Sequence, residues 1–193
     1  MVSLKVLFTY LTTISISTTT SATPLTNHNH NLITPNTLIS DINTISQAIQ
    51  SLTYTLSTLS ALSTHNNLTL STIHLTLKFA SIHTSTTEAY LDAKLISAIP
   101  SFDSNRIVEY TYSNVGVEIP EAIRVLKSKK EDFSTKFDLS RIVLRGLKVL
   151  RYDYERFSKA LCAKLTPDVM DRANVMIGVI DTALQDGIDY FSS

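Results

Sequence analysis

Histidines are the residues of this sequence whose types and spacing could bind a metal. His28 and His30 alternate with asparagines, a pattern that could hold a divalent cation weakly. We interpret residues 23–33 instead as a disordered polar tail, as is usual for polar segments near a chain end. His74 and His83 lie two and a half helical turns apart, so they face opposite sides of one helix and cannot share a metal. The sequence therefore predicts no metal site.

Catalytic motifs are absent from the sequence. It contains no G-x-S-x-G nucleophile elbow, no P-loop and no G-x-G-x-x-G fingerprint. Cys162 is the one cysteine, which excludes an internal disulfide. We interpret it as a small buried hydrophobic residue, while pairing with another chain stays an alternative. The basic cluster of Lys127, Lys129 and Lys130 is typical of a solvated helix end. Because no nucleophile–base pair can be proposed, we expect a protein that is not an enzyme and has no cofactor.

Length and composition indicate one domain. The chain has 193 residues, of which 44% are apolar, enough to build a core. The formal net charge is zero, so nothing at the level of the whole chain favours nucleic acid as a partner. With 4 glycines, 5 prolines and no tryptophan, a loop-rich sandwich or barrel is disfavoured. The charges are uneven, since residues 1–100 carry only Lys5, Asp41, Lys78, Glu88, Asp92 and Lys94.

The amino terminus has the pattern of a signal peptide. Lys5 precedes an apolar run over residues 6–16 that is too short to span a bilayer, and small residues lead to Ala22. We predict a signal peptide over residues 1–22 and a secreted protein, extracellular or in a cell wall; a buried N-terminal helix or strand is the alternative. Asn67 opens an N-x-Thr sequon and is a candidate glycosylation site. The polar C-terminus argues against a lipid anchor.

Residues 34–193 predict an all-α fold, an up-and-down bundle of five helices. In each of five segments, apolar residues recur in alternating steps of three and four. Thr34-Pro35 is typical of a capped helix start, as is Thr166-Pro167-Asp168. The third helix is expected to begin at a cap formed by Asp103 or Ser104 and to kink near Gly116–Pro120. Because the connections are short, neighbouring helices should be antiparallel.

The second segment is ambiguous. Ile73, Leu75, Leu77 and Phe79 alternate with polar residues, as in a strand. Two adjacent seams of helical spacing also run through it, one containing Leu77 and the other Phe79. They extend over about 27 residues, which favours a helix with a wide buried face.

The order of these elements resembles the hydrophobic surface-binding protein A family, the fungal cell wall galactomannoproteins. The motifs that carry the resemblance are Asp41-Ile42 opening a helix, Phe102-Asp103-Ser104, the segment LKSKKEDF over residues 126–133, and the closing IDTAL and IDYF segments. It covers residues 34–191. It implies an extracellular five-helix bundle that adsorbs to hydrophobic surfaces or holds fatty acids in a central cavity.

The apolar seams could enclose such a cavity, and bundles often bind ligands between their helices. We predict that a fatty acid contacts the middles of the helices, with Thr84 bonding its head group. Serine and threonine hydroxyls can instead bond the carbonyl four residues earlier, which needs no ligand. The predicted site consists of Ile45, Ile49, Leu52, Leu77, Ala80, Thr84, Val115, Leu147 and Ile180.

Two other functions stay open. The first is a surface-adsorbing protein that coats hydrophobic solids and recruits secreted hydrolases, without a discrete pocket. The second is a structural cell-wall mannoprotein whose serines and threonines carry glycans. A saturable stoichiometry of lipid binding would distinguish a cavity from an adhesive surface.

Overall fold

A computed structural model describes residues 33–58, 67–133 and 139–192, and within those ranges the chain is helical and contains no strand. The helices are α1 (Pro35–Thr58), α2 (Asn67–Leu95), α3 (Ser101–Ser113), α4 (Val115–Ser128), α5 (Lys130–Phe133), α6 (Leu139–Cys162) and α7 (Met170–Ser192), with a 3-10 turn Pro167–Val169 before α7. The predicted all-α fold is confirmed.

Some sequence predictions fall outside this part of the chain. The signal peptide over residues 1–22 and nearly all of the tail over residues 23–33 are among them. The side chain of Asn67 is outside as well, although its backbone is the first residue of α2. None of the helices in the described ranges is long and apolar enough to cross a membrane.

Helix α1 begins at the predicted cap. The Thr34 hydroxyl accepts a hydrogen bond from the backbone N–H of Thr37 at 3.2 Å, and the Thr37 hydroxyl accepts one from the N–H of Thr34 at 3.2 Å. Pro35 occupies the first helical position, where the missing N–H costs nothing. This reciprocal pair satisfies two donors that a helix start otherwise leaves free.

Helix α2 resolves the ambiguous segment, and only one of its two seams is buried. The buried seam is Leu75, Phe79, Ile82, Thr86, Ala89, Ala93 and Ile96. The opposite side of the helix carries Ile73, Leu77, Leu91 and Leu95, all exposed, which we call the outer stripe. Positions 75 and 77 are about 200° apart on a helix, so the strand-like alternation placed its members on opposite faces.

The middle segment forms three consecutive helices, α3, α4 and α5, which we call the middle column. The chain bends at Asn114, between α3 and α4, two residues before the predicted kink region. Pro120 lies inside α4 and cannot bond the carbonyl of Gly116. At the bend, the Asn114 side-chain amide donates to the carbonyl of Tyr110 at 2.7 Å.

The predicted cap of this column is wrong. Helix α3 begins at Ser101, directly after Pro100, and no side chain caps it. Ser104 is buried inside the first turn and donates to the carbonyl of Ile99 at 3.2 Å. Its hydroxyl also accepts from the backbone N–H of Thr166 at 3.3 Å, so it ties α3 to the turn before α7.

Five helices close into a ring, in the order α1, α2, α6, α7 and α4. Each contacts the next, and α4 contacts α1 again. Helix α3 extends the α4 column and contacts α1, α4 and α7. The buried apolar side chains of all five ring helices form one continuous core in the middle.

The prediction of antiparallel neighbours holds along the chain for α1 and α2. Asp41 interacts with Asp92, while Ser51, further along α1, accepts from Lys78 at 2.7 Å. As the residue numbers increase along α1, those of the partners on α2 decrease, so the two helices are antiparallel.

Across the ring, other neighbours are parallel. Asn36 of α1 bonds Arg106 at 3.3 Å, and Ser46 bonds Glu118 at 2.8 Å, so α1 and the middle column advance together. This pair is not consecutive in the chain, so the prediction of antiparallel neighbours does not apply to it: the middle column follows α2 in sequence but packs on α1.

Candidate functional site

A small apolar cavity lies at the centre of the ring. Its volume is about 30 Å³, and every ring helix contributes to its wall. The lining residues are Ile45, Ile49 and Leu52 of α1; Ile82 and Thr86 of α2; Ile119, Ala122, Ile123 and Leu126 of α4; Leu147, Leu150 and Tyr154 of α6; and Leu184 of α7.

The size of the cavity limits what it can hold in this state. Pockets for small ligands usually measure about 300–1,000 Å³. A fatty acid can enter only if the lining side chains or the helices move apart. Aliphatic side chains form most of the wall, and their rotamers can change without breaking a hydrogen bond.

Two lining residues carry side-chain hydroxyls, and only one of these has a partner. Thr86 donates to the carbonyl of Ile82, four residues earlier, at 2.8 Å. Tyr154 is 6% exposed, and its buried hydroxyl has no hydrogen-bond partner. A buried hydroxyl without a partner costs roughly 1–3 kcal/mol, so Tyr154, a residue of the cavity wall, has a vacant hydrogen-bonding position.

The environment of Tyr154 keeps its phenol neutral. Burial raises the pKa of this hydroxyl well above its ordinary value, and the nearby Cys162 and Asp181 raise it further. A neutral phenol keeps its O–H group and can therefore donate a hydrogen bond to an oxygen of a ligand.

Charged side chains near the cavity are engaged with one another. Asp153, next to Tyr154, is buried and lies 2.5 Å from His83 of α2. Arg151 binds Asp181 of α7 at 2.7 Å, and this pair lowers the pKa of the aspartate. These pairs join α6 to its two neighbours, and none of their members lines the cavity.

Four of the predicted site residues line the cavity: Ile45, Ile49, Leu52 and Leu147. Val115 and Ile180 are buried in the core but outside the lining. Val115 is the first residue of α4, one turn before the lining residue Ile119, and Ile180 lies one turn before the lining residue Leu184 of α7.

The three predicted residues of α2 do not face the cavity. Leu77 is 54% exposed, Thr84 is exposed, and Ala80 is half-buried outside the lining. The prediction that they point inward is wrong, because it used the seam that became the outer stripe. Ile82 and Thr86 of the other seam take their place.

Tyr154 was missed by the sequence prediction. It occupies an apolar seam position of α6, in step with Leu147 and Leu150, and was therefore counted as a core residue. Tyrosine is the only member of that seam with a polar atom at its end, and a tyrosine in the middle of an apolar seam is the signal that could have found it.

A larger groove opens on the surface between α3 and α7. It has a volume of about 310 Å³ and is lined by Val108, Glu109, Tyr112, Asp171, Arg172 and Val175. Three of these six residues are charged, while most of the surface exposed within the groove is apolar. Close to it, Cys162 is half-buried and packs against the small cluster of Val108, Val169 and Ala173.

The metal-site prediction can be compared only in part. The described residues contain no group of three metal-ligating side chains, while His28 and His30 lie outside them. His74 and His83 are both exposed on α2.

Fold and cavity define a class of protein: an all-α bundle with an apolar interior enclosed by five helices. The chain belongs to the Hydrophobic surface binding protein A family, which it matches over residues 35–163. No curated protein matches the chain significantly in sequence.

Solved structures share the fold at low sequence identity. Afmp4p in complex with palmitic acid is 22% identical, with a TM-score of 0.73 over 82% of this chain and 99% of that one. Ligand binding domain 1 of Penicillium marneffei MP1 protein, complexed with arachidonic acids, is 15% identical, with a TM-score of 0.71 over 83% and 100%. Domain 2 of the same protein, also with arachidonic acids, is 16% identical, with a TM-score of 0.70 over 89% and 98%.

Proposed function

We propose that this protein is a secreted, non-enzymatic carrier that binds one fatty acid in the central cavity. The observation that carries the proposal is the unpaired hydroxyl of Tyr154 beside an apolar space walled by five helices. Such a site offers a lipid an apolar environment for its chain and one hydrogen bond for its head group.

The energetics favour a long chain. Each buried CH₂ contributes roughly 0.8 kcal/mol, so a chain of a dozen or more carbons could offset the cost of spreading the helices. The complexes of similar fold with palmitic and arachidonic acids support the proposal, because they hold ligands of this chemistry.

The decisive test fills the cavity. Ala122 lines it and is buried, whereas Ala80 is half-buried on α2 outside the lining. Isothermal titration with palmitate below its aggregation limit should give saturable binding to the wild type and to Ala80→Phe. Ala122→Phe should bind at least tenfold more weakly, with its helix content checked by circular dichroism. Equal heats for all three proteins, without saturation, would contradict a cavity.

Secretion is part of the proposal. It is supported by the pattern of residues 1–22, and Asn67 would then be open to glycosylation. Amino-terminal sequencing of the exported protein should begin near residue 23, and glycosidase treatment should lower the mass if Asn67 is modified. Exported protein that still begins at Met1 would refute the cleavage.

A second candidate function is adsorption to hydrophobic solids, where the adsorbed protein would recruit secreted hydrolases. The outer stripe favours it, since Leu91 and Leu95 are 51% and 73% exposed. Adsorption to polystyrene should fall when Leu91 and Leu95 are both changed to Ser, whereas Ala122→Phe should leave it unchanged. If the doubly substituted protein adsorbs like the wild type, the outer stripe is not the adhesive face.

A further inference from the structure

We infer that the cavity takes the polar end of its lipid in an uncharged form, as a protonated carboxylic acid, an alcohol or an ester, and excludes the carboxylate. This inference rests on the proposed function and specifies the ligand of the same cavity. It is carried by the chemistry of the wall, where no residue bears a charge.

The two polar groups of the wall suit a neutral head group. The neutral Tyr154 phenol donates one hydrogen bond, which a carbonyl or hydroxyl oxygen can accept. The proton of Thr86 is committed to the carbonyl of Ile82, so this hydroxyl offers only its lone pairs. Lone pairs attract the O–H of an acid or an alcohol and repel a carboxylate.

Among the described residues that line the cavity, none is a cation that could balance a carboxylate. Six charged pairs or groups near the ring interior lie outside the lining: His83 with Asp153, Arg151 with Asp181, Lys127 with Asp186, Glu118 with Ser46 and Gln50, Lys78 with Ser51, and Asp41 with Asp92 and Glu88. The groups that act on the Tyr154 hydroxyl are Cys162 and Asp181, and both disfavour a negative charge there.

A buried carboxyl group in such surroundings retains its proton, because desolvation and nearby negative charge both disfavour the anion. In water a carboxylic acid of this kind has a pKa near that of glutamic acid, about 4.3. Above that pH the neutral fraction falls tenfold per pH unit. If only the neutral form binds, the apparent affinity falls by the same factor.

The experiment compares an acid with an alcohol of the same chain length. Equilibrium dialysis of the full chain with radiolabelled decanoic acid and decanol, at low micromolar concentration, is carried out at pH 5.5 and 7.5. We expect the affinity for decanoic acid to fall about 100-fold between the two pH values. The affinity for decanol should change less than threefold, which controls for ionisation of the protein itself.

Two variants locate the head group. Tyr154→Phe keeps the ring and removes the hydroxyl, and it should weaken both ligands about tenfold at pH 5.5. Lys78→Met is the matched control, because Lys78 lies one turn from Ile82 but binds Ser51 outside the lining. It should leave both affinities unchanged.

Three outcomes would count against the inference. Equal affinity for decanoic acid at both pH values would overturn it while leaving the proposed function standing. Loss of decanoic acid binding in Lys78→Met, with no effect of Tyr154→Phe, would also overturn it. That result would show that the ligand binds as a carboxylate beside the ammonium group of Lys78. Failure of both ligands to bind at either pH would overturn the proposed function, and the inference with it.

Discussion

A buried hydroxyl without a partner lowers the stability of the protein that contains it, by roughly 1–3 kcal/mol. The Tyr154 hydroxyl is such a group in the free protein, and a ligand that accepts its hydrogen bond removes the cost. Stability and binding are therefore opposed at this one residue.

This opposition gives a prediction with a matched control. Tyr154→Phe should raise the free energy of unfolding of the ligand-free protein by on the order of 1 kcal/mol, because it deletes an unsatisfied group. Tyr110→Phe should lower it by a similar amount, since the Tyr110 hydroxyl donates to Asn43 at 3.0 Å. Urea denaturation measures both. A loss of stability in both variants would mean that Tyr154 has a partner in solution.

The residues of the predicted site show which side chains sequence periodicity can assign to a buried face and which it cannot. The cavity wall includes Ile45, Ile49, Leu52 and Leu147, because each of their helices carries a single apolar seam at that point. Thr84 was chosen as the head-group residue because it interrupts a seam, and it is exposed. Periodicity marks which residues share a face, but in α2 two faces are apolar, and only the neighbouring helices decide which one is buried.

The carboxyl group of Asp41 should make the stability of the protein depend on pH. Burial, together with Asp92 and Glu88 of α2, raises the pKa of its carboxyl from 3.8 to about 6. The folded state thus binds this proton more tightly than the unfolded state does. The contribution of this proton to the free energy of unfolding is fully present below about pH 3.8 and is lost as the pH rises through 6.

Replacing Asp41 isolates this contribution. Asp41→Asn should match the wild type near pH 3.5 and exceed its free energy of unfolding by about 1 kcal/mol at pH 7, a value reduced for the partial exposure of the carboxyl. Urea denaturation at the two pH values measures the difference between the proteins. A difference that does not change with pH would show that Asp41 titrates normally.

At the scale of the elements, close approach of α2 and α6 depends on a glycine. A Cβ atom built at Gly146 would lie 2.5 Å from the ring of Phe79, so the helices touch where a side chain is missing. Gly178 of α7 has nothing within 4 Å of the same position. The two glycines therefore separate helix propensity from packing.

Gly178→Ala should stabilise the protein by up to about 1 kcal/mol, the difference in helix propensity. Gly146→Ala gains the same propensity but must displace Phe79, and overpacking costs roughly 1–3 kcal/mol, so its net effect should be destabilising. Thermal unfolding of both variants tests this. If Gly146→Ala is as stable as Gly178→Ala, α2 and α6 do not pack as closely as the contact requires.

Element boundaries were predictable where local chemistry decides them. Thr34 and Pro35 begin α1 because the cap and the proline act within one turn. The break at Asn114 was placed two residues late, because Pro120 forbids one hydrogen bond but does not determine which residue takes up the bend. At the bend, the side-chain amide and the backbone N–H of Asn114 both donate to the carbonyl of Tyr110.

For the whole molecule, the ring order is the feature that sequence patterns could not give. The middle column follows α2 along the chain, yet it lies between α1 and α7. Seams specify that each helix buries one face, and many arrangements of five helices satisfy that condition. Pairs such as Ser46 with Glu118, distant in sequence, select the observed one.

The closed ring also determines how a ligand must enter. A cavity of about 30 Å³ is too small for a fatty acid, so binding requires an open state in which the lining side chains or the helices have moved apart. If this opening precedes binding, the apparent affinity is the affinity of the open state multiplied by its population. Association should then be slower than for a site that is already open, because binding that requires a conformational change has a lower association rate.

Stopped-flow mixing with a fluorescent fatty acid tests this at the scale of the whole molecule. The observed rate should rise with ligand concentration and then level off at the opening rate. Leu184→Ala, which removes bulk from the wall, should raise the plateau, while Val179→Ala on an exposed part of α7 should leave it unchanged. A rate that increases linearly at all concentrations, and equally in the three proteins, would mean that the cavity is open before the lipid arrives.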